Sequence, residues 1–127
     1  MMKCPLSGMI AAVAACLIIG AAGCADLGTP TEIVPGIPAW LQTLISRYQA
    51  APLGTAPVAV WQYQFKGETV YYVPAPCCDR FNVIYDAAGN VICAPDGGFS
   101  GAGDGRCPEF RREATNEVLV WRDNRVK

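Results

Sequence analysis

Four cysteines in the second half of the chain restrict its fold more than any other feature, because cross-links tie separate segments together. Cys77 and Cys78 are adjacent, and Cys93 and Cys107 follow after gaps of 14 and 13 residues. In an oxidising compartment, an even number of cysteines predicts two disulfides. Structural zinc sites usually take their ligands in pairs spaced C-x2-4-C, so a four-cysteine zinc site is a weaker alternative, and free thiols are weaker still.

The adjacency of two cysteines also bears on how they pair. Neighbouring residues in an extended chain point to opposite faces. We therefore expect the two adjacent cysteines to reach different partners, each bonding to one of the two later cysteines. A bond between Cys77 and Cys78 themselves is the alternative.

The N-terminal segment indicates the compartment. Residues 8–23, GMIAAVAACLIIGAAG, carry no charge and follow Lys3, the only basic residue before them. A short basic start, an apolar run and small residues at its end are the three parts of a secretory signal. The run stops after 16 residues, whereas a membrane-spanning helix needs about 20. Residues 1–23 are therefore predicted to be a signal peptide.

The end of this segment predicts a lipid anchor. Ala21, Ala22, Gly23 and Cys24 resemble the lipobox of bacterial lipoproteins. The resemblance implies that Cys24 is lipidated, becomes the mature N-terminus and attaches the protein to a membrane outside the cytoplasm. The lipobox usually has leucine three positions before the cysteine, where this chain has Ala21. Ordinary signal-peptidase cleavage and a soluble secreted protein are therefore the alternative.

The mature chain is small and nearly neutral. Cleavage before Cys24 removes Lys3 from the 10 basic side chains and none of the 11 acidic ones, which leaves a net charge of about −2. No basic stripe remains for nucleic acid, so no nucleic-acid partner is expected. Residues 24–37 are rich in proline and glycine and predict a tether. Residues 38–127 then form one small domain with a modest core.

The spacing of apolar residues predicts an α+β fold for this domain. Apolar residues recur at helical spacing between Ile37 and Tyr48, which predicts a helix over residues 39–50 after Pro38. From Val58 the period changes to two. Strands are predicted at about 58–65, 69–73, 81–86, 91–94 and 117–122. We expect the N-terminal helix to pack on an antiparallel sheet of about five short strands.

The most unusual segment is Gly-rich and covers residues 95–108, PDGGFSGAGDGRCP, of which 5 are glycine. Such a composition predicts a loop without helix or strand. Cys93 and Cys107 would hold both ends, which lowers the entropy cost of one defined conformation. The glycines would then have positive φ, and Asp96 and Asp104 would form Asx-turns with neighbouring amides. The candidate binding loop consists of Asp96, Gly97, Gly98, Asp104, Gly105 and Arg106.

The absence of histidine from the chain excludes Ser-His-Asp and Cys-His catalysis and histidine metal ligands. Carboxylates remain as general acids and bases, but aspartate beside glycine is ordinary turn chemistry. We therefore expect no enzymatic activity, with a small carboxylate-dependent hydrolase as the alternative. The available carboxylates are Asp79, Asp86, Asp96, Asp104 and Glu109.

The remaining interpretation is a binding or structural module of the cell envelope. It would present the Gly-rich loop to an envelope or extracellular protein or glycan. A calcium site is the alternative, because Asp96 and Asp104 stand in DGG and GDG segments that resemble calcium-binding turns. The spacing does not match the EF-hand pattern D-x-[DN]-x-[DN]-G. No other cofactor is expected.

Four short motifs carry a resemblance to a known family. They are CCD at 77–79, YDAAGNVIC at 85–93, APDGG at 94–98 and GDGRCPEF at 103–110. Together they resemble a family of small bacterial lipoproteins and secreted proteins whose domain has no assigned function, over about residues 57–122. The resemblance implies an extracytoplasmic domain stapled through its cysteines. It implies no activity, cofactor or substrate.

Overall fold

The computed structural model describes residues 34–126. The predicted signal peptide, Cys24 and residues 24–33 of the predicted tether lie outside the described residues. The elements are α1 (Ala39–Ala50), β1 (Ala59–Phe65), β2 (Glu68–Val73), β3 (Phe81–Tyr85), β4 (Val91–Gly97), α2 (Phe110–Glu113) and β5 (Thr115–Arg122). The strands form one antiparallel sheet in the order β4-β3-β2-β1-β5. The predicted helix and five-stranded antiparallel sheet are confirmed. No helix within residues 34–126 is both long and apolar enough to cross a membrane.

Helix α1 has the predicted bounds because proline defines both of its ends. Pro38 precedes it with φ of −58°, and its carbonyl oxygen accepts hydrogen bonds from the N–H groups of Leu41 and Gln42. Pro52 disfavours a helical conformation at the residue before it, and Ala51 is extended, with φ −76° and ψ 151°. The helix therefore ends at Ala50.

One core cluster joins α1 to the sheet, and we call it the helix-side core. Its buried residues are Ile37, Leu41, Ile45, Val60, Tyr71, Val73, Val120 and Trp121. The ring of Trp40 lies beside it and fixes the turn between β3 and β4, because its Nε1 donates to the carbonyl oxygen of Ala87 at 2.9 Å.

The described part of the predicted tether is attached to the sheet. The N–H of Val34 donates to the carbonyl oxygen of Val120 at 3.3 Å, and Ile37 is buried in the helix-side core. The chain is therefore held to β5 from Val34 onward.

Both hairpins have the turn chemistry that their strands need. β1 and β2 are joined by Lys66 and Gly67, with φ of 51° and 80°. Positive φ at both central positions is typical of a type I′ turn, which matches the twist of the strands. The turn after β3 is held by Asp86, whose Oδ1 accepts the N–H groups of Ala88 and Asn90, each at 2.9 Å.

The connection between β4 and β5 positions the candidate site. β4 and β5 lie at opposite edges of the sheet, so residues 98–114 must cross from one edge to the other. Tyr71 belongs to the helix-side core, whereas its neighbours Val70 and Tyr72 belong to a second cluster that also contains Phe110 of the crossover. Side chains alternate between the faces of a strand. The crossover therefore covers the face opposite α1.

Two expectations about this region are wrong. β4 extends through Gly97, although the glycine content predicts no strand after Ala94. Asp96 pairs with Asn82 and Gly97 with Phe81, and β4 is an edge strand of the sheet, where a proline such as Pro95 is tolerated. β5 begins two residues earlier than predicted, and α2 has only 4 residues, too few for a periodic pattern to reveal it.

Candidate functional site

The candidate site is built on the second cluster, which we call the loop-side core. Its buried residues are Phe65, Val70, Ile84, Cys93, Cys107 and Phe110. The ring of Phe110 anchors α2 to the sheet, since its centroid lies 5.2 Å from the rings of both Phe65 and Tyr63. The end of the Gly-rich loop and α2 therefore pack on aromatic side chains of the sheet.

The two disulfides differ from the predicted pairing. Cys93 bonds to Cys107 inside the loop-side core, with a Cα–Cα separation of 6.1 Å, and Cys77 bonds to Cys78 in the connection between β2 and β3. The prediction assumed an extended chain at the adjacent cysteines, but Cys78 has φ of 58°. Neighbouring side chains therefore need not point apart. Two disulfides indicate an oxidising, extracytoplasmic environment.

Asp96 is buried and is the centre of a polar network that links four elements. It is 7% exposed. Its Oδ1 accepts hydrogen bonds from the Tyr72 hydroxyl at 2.9 Å and from Nδ2 of Asn82, and its Oδ2 pairs with the guanidinium of Arg111. Asn82 in turn accepts the N–H of Ala75 at 2.7 Å. The expected Asx-turn at Asp96 is wrong, because Asp96 is part of β4 and its carboxylate binds side chains of β2, β3 and α2.

Sequence reasoning missed the three partners of Asp96. Asparagine is depleted in strands, so Asn82 within an otherwise apolar strand is the signal that could have indicated a buried polar partner. Tyr72 and Arg111 carry no comparable signal. Burial, followed by the hydrogen bond to Asp96, raises the pKa of the Tyr72 hydroxyl above its usual range. Tyr72 therefore remains a donor at all physiological pH values.

The Asx-turn expected at Asp104 is confirmed. Its Oδ1 accepts the N–H of Arg106 at 3.0 Å, and its Oδ2 accepts Nε of the same residue at 2.6 Å. These bonds, led by the backbone bond, lower the pKa of the Asp104 carboxyl. The N–H of Asp104 donates to the carbonyl oxygen of Ala94 at 2.9 Å, which ties the loop to β4.

Positive φ at the loop glycines is also confirmed, at Gly97, Gly98, Gly101, Gly103 and Gly105. A side chain at position 103 would clash with β4, because a Cβ atom would lie 2.1 Å from the carbonyl oxygen of Ala94 and 2.7 Å from the nitrogen of Asp96. The N–H of Gly103 also donates to the carbonyl oxygen of Gly97 at 3.1 Å. The loop therefore lies directly against the backbone of β4.

Two exposed phenyl rings lie at this loop, Phe99 within it and Phe81 beside it at the start of β3, and we call them the aromatic tip. Phe99 is 94% exposed and Phe81 is 50% exposed. Gly98 precedes Phe99, and a Cβ on it would lie 2.5 Å from Cε1 of Phe81, so the Phe81 ring rests against the loop backbone. The N–H of Gly101 donates to the carbonyl oxygen of Gly98 at 3.1 Å, which closes a turn around Phe99.

Asp86 and Glu109 are engaged by protein donors that favour their ionised forms. A backbone bond from Asn90 lowers the pKa of Asp86, and a side-chain bond from Lys66 lowers the pKa of Glu109. Asp79 is exposed beside the adjacent disulfide. Within residues 34–126, no group of three or more cysteine, aspartate or glutamate side chains is placed to hold a metal ion.

A cavity of about 290 Å³ lies between α2 and the start of β5. Tyr63 and Glu117 face each other in it, and the tyrosine hydroxyl donates to Oε2 of the carboxylate. Burial, followed by this hydrogen bond, raises the pKa of Tyr63 to about 12. The hydroxyl is therefore a donor at neutral pH, like that of Tyr72.

A family described as a domain of unknown function, DUF6970, matches residues 46–123. The chain belongs to this family. This membership confirms the expectation of a domain whose function is not assigned. The family match spans all five strands, the four cysteines of both disulfides and the whole candidate loop. No curated protein and no solved structure matches the chain.

Proposed function

We propose that the chain is an extracytoplasmic, membrane-anchored lipoprotein whose domain binds another protein of the cell envelope through the aromatic tip. The observation that carries this proposal is the exposure of Phe99, which leaves 94% of its surface in contact with water. A large apolar ring held in water contributes nothing to the core. Aromatic residues, phenylalanine included, are enriched in protein interfaces relative to the rest of the surface.

The loop under Phe99 supports binding because it is already ordered. Its backbone is held by the Cys93–Cys107 disulfide, by the hydrogen bond from Asp104 to Ala94 and by the contact of Gly103 with β4. Binding through a fixed loop loses little conformational entropy, so more of the contact energy appears as affinity.

The shape of the tip favours a protein over a glycan as the partner. Phe99 projects from a closed turn, and the Phe81 ring widens the apolar surface at its base. A projecting ring fits an apolar pocket on the partner, whereas small polar ligands usually bind in concave sites. A partner protein with a phenyl-sized pocket is therefore the best match.

The anchor places this surface in the envelope. The uncharged segment 8–23 and the lipobox-like residues before Cys24 support export and lipidation. Two acyl chains or more give stable membrane attachment. The residues between Cys24 and Val34, where the described chain meets β5, supply a short spacer between membrane and domain.

The other candidate functions have less support. Ca²⁺ at Asp96 would have to displace the guanidinium of Arg111, and Ca²⁺ at Asp104 would have to displace that of Arg106. In a carboxylate-dependent hydrolase, the carboxylic acid that donates the proton usually has a raised pKa. The pKa values of Asp86, Asp104 and Glu109 are instead lowered. Both facts favour a non-catalytic function without a metal.

The binding proposal is tested by capture of the partner from envelope extracts of the native host, followed by affinity measurement with the captured protein. Phe99→Ser should weaken the affinity at least about tenfold, because a hot-spot ring is lost, while the melting temperature stays unchanged. Leu53→Ser is the matched control, since Leu53 is 54% exposed on the connection after α1. Equal affinities for wild type and Phe99→Ser would refute the assignment of the binding surface.

The anchor is tested separately by metabolic labelling with a fatty-acid probe and by detergent phase partitioning. The wild-type precursor should be labelled and should enter the detergent phase. Cys24→Ser should lose both properties. Labelling that persists in this variant would show that the lipid is not on Cys24.

A further inference from the structure

The two disulfides lie in opposite environments. Cys93 and Cys107 are 1% and 3% exposed and belong to the loop-side core. Cys77 and Cys78 are exposed and belong to neither core. Attack by a thiolate on a disulfide requires access to one of its sulfurs, and exposed disulfides are the labile ones. We propose that Cys77–Cys78 is a thiol–disulfide exchange site for low-molecular-weight thiols.

Structural stability does not explain the exposed bond. A disulfide stabilises mainly by closing a loop in the unfolded chain, and the effect grows with the length of that loop. Cys93–Cys107 closes a separation of 14 residues, whereas Cys77–Cys78 joins neighbours with a separation of 1. The adjacent pair therefore restricts the unfolded chain very little. A chemical use accounts for it better.

The surroundings of the pair suit a small zwitterionic thiol. A cleft of about 450 Å³ opens over the bond and is lined by both cysteines, Gly54, Thr55, Asp79 and Arg80. Asp79 and Arg80 are exposed and carry opposite charges. Cysteine and glutathione carry an ammonium and carboxylates together with the thiol, so these side chains match both charges. A neutral thiol would lack that match.

The exchange needs no further reactant. The thiolate of the small thiol attacks one sulfur of the pair, forms a new S–S bond to it and breaks the Cys77–Cys78 bond. The other cysteine leaves as a thiolate and takes up a proton. A second small thiol then attacks the mixed disulfide, which releases the oxidised small disulfide and leaves both cysteines reduced. Two electrons pass from two small thiols to the pair, and the reverse sequence reoxidises it.

Reduction of the pair should leave the domain folded. Both cysteines lie in the connection between β2 and β3, and neither core cluster includes them. The positive φ of Cys78 is uncommon outside glycine, so the reduced connection is free to relax locally. The loop-side core and Cys93–Cys107 are not affected.

The test is timed reduction of the full mature protein with reduced glutathione under native conditions, followed by alkylation and peptide mass spectrometry. Cys77 and Cys78 should be alkylated about a hundredfold faster than Cys93 and Cys107, because a buried disulfide reacts only in opened molecules. In Cys77→Ser/Cys78→Ser the fast phase should vanish while the melting temperature stays within a few degrees. Equal rates for both disulfides, or a fast phase that survives in the double variant, would overturn the proposal.

A second variant captures the intermediate. Cys78→Ser leaves Cys77 without a neighbour to displace a bound thiol, so incubation with oxidised glutathione should leave one stable glutathione adduct on Cys77. The adduct is measured by intact mass and located by peptide mapping. Asp79→Ser/Arg80→Ser in the wild-type disulfide background should slow reduction by glutathione but not by the neutral thiol 2-mercaptoethanol. Absence of the adduct on Cys77 would overturn the exchange site, and equal slowing of both thiols would overturn the choice of a zwitterionic ligand.

Discussion

Gly103→Ala directly tests whether the Gly-rich loop is fixed against the sheet. An added methyl group would lie 2.1 Å from the carbonyl oxygen of Ala94 and 2.7 Å from the nitrogen of Asp96. Both are backbone atoms of β4, so neither can rotate away as a flexible side chain could. The loop would have to move off β4, which would break the hydrogen bond from Asp104 to Ala94.

Gly101→Ala separates this contact from the cost of positive φ. Gly101 has φ of 76° and Gly103 has φ of 74°, but a Cβ at position 101 would meet nothing within 4 Å. The backbone penalty of alanine at such φ is about 1–2 kcal/mol. Overpacking against fixed atoms adds about 1–3 kcal/mol. Gly101→Ala should therefore cost about 1–2 kcal/mol, and Gly103→Ala about 2–5 kcal/mol.

Urea denaturation of the non-reduced mature domain measures both values, with thermal unfolding as a check. In a domain of this size, 1 kcal/mol corresponds to a shift of about 4–8 °C in melting temperature. Gly103→Ala should therefore melt well below Gly101→Ala. Equal stabilities for the two variants would mean that the loop does not lie against β4. The proposal that a rigid loop supports Phe99 would then be refuted.

Three further predictions concern the polar groups. Arg111→Ala should destabilise the domain by about 1–3 kcal/mol in the same urea assay, because it leaves the buried Asp96 carboxylate without its charged partner. The control Arg112→Ala, at an exposed ion pair, should change stability by less than about 0.5 kcal/mol. Tyr63 should ionise near pH 12, since its pKa is about 12. Its contribution to stability is complete below the usual tyrosine pKa of about 10 and is lost as the pH rises through 12. The difference in tyrosinate absorbance between wild type and Tyr63→Phe measures this ionisation. Asp104→Ala should lower the melting temperature equally with and without Ca²⁺, and a Ca²⁺-dependent stabilisation of the wild type alone would favour the calcium alternative.

The elements that depend on local pattern were predictable from the sequence. The helical spacing and the flanking prolines define α1 at Ala39–Ala50, as predicted. Alternation and turn residues define the first hairpin, where Lys66 and Gly67 both have positive φ. These features depend only on neighbouring residues, so one sequence carries the necessary information.

The features that depend on strand order were not predictable. The residues that bind Asp96 are 24, 14 and 15 positions away from it in the chain. They meet only because β2, β3 and β4 are adjacent and α2 lies over them. The disulfide pairing depends on the strand order in the same way, since Cys93 lies in β4 and Cys107 lies in the crossover just before α2. Cys77 and Cys78, on a separate connection, are left to bond to each other.

The strand order also explains why the Gly-rich composition alone is weak support for a binding loop. A chain that leaves β4 and must reach the opposite edge has to cross the open face of the sheet, and close passage along β4 excludes side chains at Gly103. The Cys93–Cys107 disulfide and the hydrogen bond from Asp104 to Ala94 also hold the crossover against β4. Architecture therefore accounts for the glycines of the crossover, for Cys93 and Cys107, and for Asp96 and Asp104. It does not account for Phe99, because a polar residue at the centre of that turn would serve the crossover equally well and would avoid a ring that is 94% exposed. The functional signal in this loop is therefore the phenyl side chain at its tip.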